Sequence, residues 1–338
     1  MKEKFLGAML LLIASNAVAQ ADSLAARRKM VDSVMMSRLR MAALSYPMIR
    51  QASVSTEVLG KTTLDSKLYG NDFYKGDVQI TRVRANVNLP VWQTRKNAIF
   101  TSFSYLGQFA QLSKSISYNP ALPVADGRVD MSTYTFVAGY SHNDSLFNRP
   151  VSFSVSAAAL TNQDFSTLRM NYLGTLIFTL KRTATTNLAA GVAVIIDPSS
   201  PVPAVPVFSY WHRFTKSKLD LFVDMPYRVS LRKEFSSRAF LSVGSQLSNN
   251  LFFVNPNNAL MPGENIYTTL EIRSGATFEY LVGKHIVLGL NGGVLTTAQS
   301  RMFEKSAKST DYFMSNKMGS VPYVNFSVSV LPFVRGFH

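Results

Sequence analysis

The chain has 338 residues, 35 Lys and Arg against 20 Asp and Glu, no Cys, 47% hydrophobic residues and only 16% charged ones. Soluble domains carry about 25% charged residues, so charge is scarce, yet the longest apolar run, Phe5 to Ala14, is shorter than the roughly 20 residues of a membrane-spanning helix. The lack of Cys excludes disulfides, thiolate metal sites, a Cys nucleophile and a lipidated N-terminal Cys, and 23 Phe with 14 Tyr argue against disorder.

Lys2 and Lys4 precede the apolar run, and Ala17-Val18-Ala19 follows it with small-residue spacing before Gln20. A basic start, an apolar stretch and an A-x-A site are the three parts of a secretory signal peptide. The expected division is a signal peptide over 1–19, a basic arm or helix over 20–49, and a membrane barrel over 50–338. The arm carries Arg27, Arg28, Lys29, Arg38 and Arg40 among Leu24, Val31, Val34, Met35 and Leu39. It suits a periplasmic arm, a lumen plug or a surface-lying helix. Export removes nucleic acid as the partner for a net charge of +15.

From residue 50 the apolar residues recur at every second position, the period of a strand with one apolar face. Val83, Ala85, Val87, Leu89 and Val91 alternate with Arg84, Asn86 and Asn88; Val151, Phe153, Val155, Ala157 and Ala159 alternate with serines. The same pattern runs through 131–140, 168–180, 188–196, 219–231, 270–280, 286–294 and 324–330. No helical period intervenes, which excludes a parallel α/β fold. A soluble sandwich would bury the apolar face, whereas a membrane barrel turns it to lipid and fills its lumen with the polar face. Segments of 9–15 residues, longer than the usual 5–6 of soluble sheets, favour the barrel.

Connections alternate in length. Short turns are expected near 93–96, 144–149, 183–186, 215–218, 236–238 and 282–285, and longer connections at 61–75, 113–130, 163–166, 197–203, 249–266 and 299–319. Bacterial barrels keep short turns in the periplasm and longer loops outside. Residues 219–235 read as one strand would leave an odd count. Breaking them at Met225-Pro226, where Pro cannot donate to a ladder, gives an antiparallel up-and-down barrel of 14 strands, with 12 as the alternative. The break also sets Asp224 opposite Arg228 and Asp220 opposite Arg232. On the outward phase near periplasmic ends stand Tyr140, Phe153, Phe178, Phe214, Phe278 and Tyr280, the expected aromatic girdle at the headgroup level.

The export signal, the long strand 77–92, Val207-Phe208-Ser209-Tyr210 and the segment from Leu219-Asp220-Leu221 to Met225-Pro226-Tyr227-Arg228-Val229 together resemble uncharacterised outer-membrane β-barrel proteins of Bacteroidetes type. The resemblance covers residues 45 to 334 and implies a barrel in the outer membrane of a Gram-negative cell, without an assigned function. Such barrels commonly end in Phe, which the insertion machinery reads. Here Phe337 is followed by His338 and Arg335 breaks the alternation, leaving Phe333 as the substitute.

Catalysis on a barrel needs a Ser-His pair at the lipid face of the outer leaflet, or His with carboxylates at the extracellular rim. His142, His212 and His285 fall at periplasmic ends, so no enzyme, metal or cofactor is expected, and Tyr140-Ser141-His142-Asn143-Asp144-Ser145 reads as turn capping. Gly292-Gly293 reads as close backbone packing. Lumen-facing charges are expected at Arg84, Arg169, Arg213, Arg228, Arg232 and Arg273 against Asp220, Asp224, Glu271 and Glu279. Arginines in a narrow pore attract anions, which points to a diffusion channel or small-solute transporter with mild anion preference. The same charges suit paired networks that only hold a closed lumen together. The alternatives are a non-conducting surface or scaffold barrel binding a partner or lipopolysaccharide through its loops, and an uptake channel for hydrophobic compounds.

Overall fold

The computed structural model describes residues 36–37, 39–197, 200, 202–256 and 261–333; the signal peptide, Arg335, Phe337 and His338 lie outside them. Sixteen strand segments follow a short helical segment at residues 39–45 and a 3-10 turn at Pro47–Ile49. They are β1 (Ala52–Leu59), β2 (Thr62–Leu68), β3 (Asn71–Gln93), β4 (Asn97–Ser117), β5 (Gly127–Leu146), β6 (Arg149–Thr161), β7 (Leu168–Arg182) and β8 (Thr186–Ile196). Then come β9 (Ala204–Phe214), β10 (Leu219–Met225), β11 (Arg228–Glu234), β12 (Ala239–Val254), β13 (Asn265–Val282), β14 (Ile286–Glu304), β15 (Met314–Met318) and β16 (Val321–Val330).

Every strand from β3 to β14 pairs antiparallel with its sequence neighbours. β1 and β2 both pair with β3, and β15 and β16 both pair with β14, so each couple is one wall strand broken near a glycine, Gly60 or Gly319. β1 pairs with β16, and β2 with β15, which closes the sheet into a barrel of 14 antiparallel wall strands. The break at Met225-Pro226 falls between β10 and β11, where the chain reverses.

The alternation sends Val54, Val87, Leu89, Phe103, Phe136, Val155, Leu290 and Phe326 outward, all exposed. This apolar exterior is the lipid-facing surface of a transmembrane barrel.

Several connections expected to be loops are strand. Residues 62–68 are β2, leaving a two-residue turn at Tyr69-Gly70, both at positive φ. Residues 113–117 and 127–130 extend β4 and β5, while 249–254 and 299–304 extend β12 and β14. These extensions, from Lys114-Ser115-Ile116-Ser117 to Leu251-Phe252-Phe253-Val254, lack a regular apolar alternation while their backbones stay paired. At 144–149 the turn shrinks to Phe147-Asn148, both left-handed, the backbone form that matches the twist of a tight hairpin.

The wall is uneven in height. The eight strands from β12 round to β5, with the two broken strands counted once each, are tall: β3 has 23 residues and β4 has 21. The six from β6 to β11 are low, and β10 and β11 have 7 residues each. β5 loses its β6 neighbour above Tyr134, and β12 loses β11 above Gln246. These two bare edges lie seven wall strands apart in either direction, yet they meet. Thr133 Oγ1 donates to the Leu251 carbonyl at 2.7 Å. The tall strands therefore curl together above the low wall. Eight strands enclose just enough room for side chains to fill. Inside lie Leu59, Val78, Ile80, Leu295, Val321 and Tyr323, and nearer the loops Leu68, Phe73, Tyr74, Phe313 and Met314.

Candidate functional site

The even positions of β3 face inward and descend through the lumen. Val78 and Ile80 belong to the apolar packing. One step down, Arg82 is fully buried and makes a two-pronged contact with Glu271 across the lumen, at 2.7 and 2.6 Å. It also donates to Gln108 at 2.7 Å and reaches Glu57 at 3.4 Å. Arg273 contacts Glu57 at 3.0 Å and Glu271 at 3.4 Å. Removing such charges from water costs several kcal/mol per ion unless geometry and extra hydrogen bonds compensate. The planar fork of Arg82 matches the carboxylate of Glu271, and Thr269 donates to it at 3.2 Å.

Arg84 is next. Its Nη2 donates to Asn250 across the lumen at 2.7 Å, while its Nε is buried and without a hydrogen-bond partner. It lines a cavity of 480 Å³ beneath the β5–β12 contact, with Ser53, Ser55, Asn86, Ser104, Thr135 and Asn171. Lower still, Asn86 donates to Ser102 at 3.1 Å, and Asn88 donates to the carbonyls of Met48 and Arg50.

Residues 39–51 occupy the turn end of the lumen beside β10 to β16. Arg50 donates to Glu279 at 2.6 Å, to Ser329 at 2.9 Å and to the Ala43 carbonyl at 3.1 Å. Arg228 bonds Asp224 at 2.7 Å and the Ser45 carbonyl at 3.1 Å, and lies over the rings of Tyr46 and Phe222. Ala43 and Leu44 pack with Phe240, Val287 and Leu331. A smaller cavity of 110 Å³ lies above this segment, bordered by Phe222, Arg232, Arg273 and Glu279.

The ten charges expected in the lumen thus fall into separate groups. Glu271, Arg273 and Arg84 meet at mid-height, and Arg228, Asp224, Arg232 and Glu279 surround residues 39–51. Arg213 pairs with Glu234 at 2.7 Å near the turn end, and Arg169 pairs with Asp197 at the loop end of β7. Asp220 stands opposite Arg232 in register, but the expected ion pair is not made. Arg232 is drawn over the Phe240 ring and lies 3.9 Å from Glu279, while Asp220 lies 3.9 Å from Arg213. Sequence reading missed Glu57, Arg82 and Arg50, three deeply buried charges of the two networks. Parity alone would have found Arg82 beside Arg84, and Glu57 in the run Ser53, Ser55, Glu57 between outward Val54 and Val58.

Tyr140, Phe153, Phe214, Phe278 and Tyr280 are exposed near the turn ends of their strands, and Phe178 is partly exposed. Tyr140 donates to Asn97 at 2.7 Å. His142 Nδ1 lies 2.6 Å from the same oxygen, His212 Nδ1 lies 2.9 Å from Thr186 Oγ1, and the His285 ring meets Phe333 edge-on. These imidazoles stand apart from one another at the turn rim. A Cβ on Gly293 would collide with the Ser274 carbonyl, and one on Gly275 with that of Gly292, so β13 and β14 approach closely there.

A family model described as a domain of unknown function, DUF6268, matches residues 47–330, most of the chain. The chain belongs to that family. No curated protein matches it. Among solved structures, the family member is similar to an outer membrane channel from Pseudomonas putida F1, at 10% identity and a TM-score of 0.34 over 83% of this chain and 96% of the other. It is also similar to the Pseudomonas putida toluene transporter TodX, at 10% identity and 0.33 over 83% and 89%. A Pseudomonas aeruginosa FadL homologue gives 9% identity and 0.29 over 83% and 90%.

Proposed function

We propose that the chain is an outer-membrane channel for small polar solutes with a mild preference for anions. The observation that carries this reading is the open lining of the low-wall side, most polar along β6 and β7. There Ser152, Ser154, Ser156, Asn171, Thr175 and Ser209 face inward, none buried, and lumen-facing Leu173 is 41% exposed. Side chains fill the tall side, so the route runs along β6 to β9 and out beneath the β5–β12 contact. A purified barrel in planar bilayers should conduct, with a reversal potential in a salt gradient that favours anions. Absence of current both in the intact protein and after Arg50→Ala loosens residues 39–51 would sink the channel reading, and cation selectivity would sink the anion preference. The outward apolar residues support outer-membrane lipid and lipopolysaccharide as surrounding partners and the barrel insertion machinery as the assembly partner. The scattered imidazoles support a role without catalysis.

One observation favours a second reading, uptake of hydrophobic compounds. A 7-residue strand tilted as in a barrel rises about 18 Å, less than the roughly 25 Å apolar band of outer-membrane barrels. The lumen then opens sideways above the β10–β11 hairpin, at bilayer depth. Toluene uptake by vesicles carrying the barrel, unaffected by excess chloride or carboxylate, would favour this reading over the first.

A further inference from the structure

The lumen carries two ion networks that differ in balance. Around residues 39–51 and the β9–β11 turn end, the ion-paired charges are Arg50, Arg213, Arg228 and Arg232 against Asp220, Asp224, Glu234 and Glu279, four of each sign, while Arg40 donates to the Pro332 carbonyl. At mid-height Arg82, Arg84 and Arg273 face only Glu57 and Glu271, three against two. Arg82 and Arg273 share both carboxylates. Arg84 is left with the neutral amide of Asn250 and a buried, unbonded Nε. Asp197 also lines the cavity, and its ion pair with Arg169 neutralises it, so it does not change the balance. A half-buried cation without an ion-pair partner is costly, and this one borders the 480 Å³ cavity, within the size range of small-molecule sites.

We propose that Arg84 and this cavity bind a small hydroxylated monocarboxylate. One surplus positive charge is neutralised by one carboxylate, which selects a monoanion. The guanidinium supplies charge-assisted donors to it. Ser53, Ser55, Ser104 and Thr135 supply hydroxyls, and Asn86 and Asn171 amides, that match a body bearing several hydroxyl groups. Leu106 and Leu160 add a short apolar edge that a bare inorganic anion would not use. The proposal deepens the polar-channel reading and rests on it for the way in.

Gluconate is the probe, titrated calorimetrically into the full-length barrel in detergent, with glucose as its uncharged counterpart. Saturable gluconate binding is expected, with glucose binding far weaker. Arg84→Gln should weaken gluconate about tenfold or more, the loss of a charge-assisted contact. Ser55→Asp should do the same while keeping every native charge, because Ser55 stands directly across from Arg84 on β1 and the new carboxylate would neutralise it. It decides the matter if Arg84→Gln fails to fold. Absence of gluconate binding, equal binding of glucose, or unchanged affinity in the folded variants would overturn the proposal. Binding is read without a membrane: a barrel that binds gluconate but passes no current keeps the site and loses the channel, and the converse result does the reverse.

Discussion

The tall side and the low side of the barrel are built from the same two-residue alternation, yet their interiors are opposites. Between β12 and β5 the inward positions carry large apolar side chains and the Arg82–Glu271–Glu57 network, which fill the space above the Arg84 cavity. Between β6 and β9 they include Ser152, Ser154, Ser156, Asn171, Thr175, Ala193 and Ser209, none of them buried, beside Leu173, Ile195, Val205 and Val207, which are not buried either. The difference shows that strand parity sets which side chains enter a lumen, whereas side-chain size and strand height set whether the lumen stays open. Stability concentrates on one side and passage on the other.

That division is open to direct attack. Arg82→Ala should have the largest effect, because it leaves Glu57 and Glu271 buried with only Arg273 and Arg84 nearby. Removing one partner of a buried pair costs about 3–5 kcal/mol. Urea unfolding in lipid vesicles should show a loss of that order. The double variant Arg82→Met with Glu271→Leu should lose less than Arg82→Ala, since the more deeply paired carboxylate goes with its partner. If the double variant is worse, the network contributes more than mutual neutralisation.

Leu295→Ala comes next. Leu295 is 1% exposed in the tall packing, and a large-to-small change there costs about 2–5 kcal/mol. Leu173→Ala on the low side removes a side chain already facing open lumen and should change stability by less than about 1 kcal/mol, while raising conductance. Equal losses at the two leucines would remove the distinction between the two sides.

Arg50→Ala tests the turn end. It removes three side-chain bonds, but Arg232 remains 3.9 Å from Glu279, so the cost should be nearer the 1.5–3 kcal/mol of one charged hydrogen bond. Single-channel current should rise as residues 39–51 loosen. Unchanged current with reduced stability would mean that the route bypasses this segment.

Much of the fold was legible because lipid imposes alternation wherever it touches a strand. Most of the 14 wall strands follow from it, and the reversal at Met225-Pro226 follows from the proline's missing donor. Above the bilayer that constraint ends, so the polar continuations of β4 and β14 and all of β2 read as loops. The difference in wall height vanished with them. For the lumen, parity placed Arg84, Glu271 and Arg273 inward, yet it gives no information about which residues meet across it. Arg82 and Glu271 are 189 positions apart, and their contact depends on the curl of the tall strands rather than on any local pattern.

Where the β5 and β12 edges meet, the curl is closed by a described hydrogen bond from Thr133 to the Leu251 carbonyl. Thr133→Val keeps the shape of the side chain and removes only the donor, so the expected cost is small, about 0.5–1.5 kcal/mol. Thr133 is 4% exposed, however, and the Leu251 carbonyl loses this donor, which favours separation of the β5 and β12 edges. Faster hydrogen exchange should follow at the amides of 127–133 and 248–254, with exchange at β13 and β3 unchanged. If exchange stays slow at both edges, packing beneath them holds the tall side closed and the hydrogen bond only records their proximity. If it quickens throughout the tall side, the contact is the clasp on which the filled interior depends.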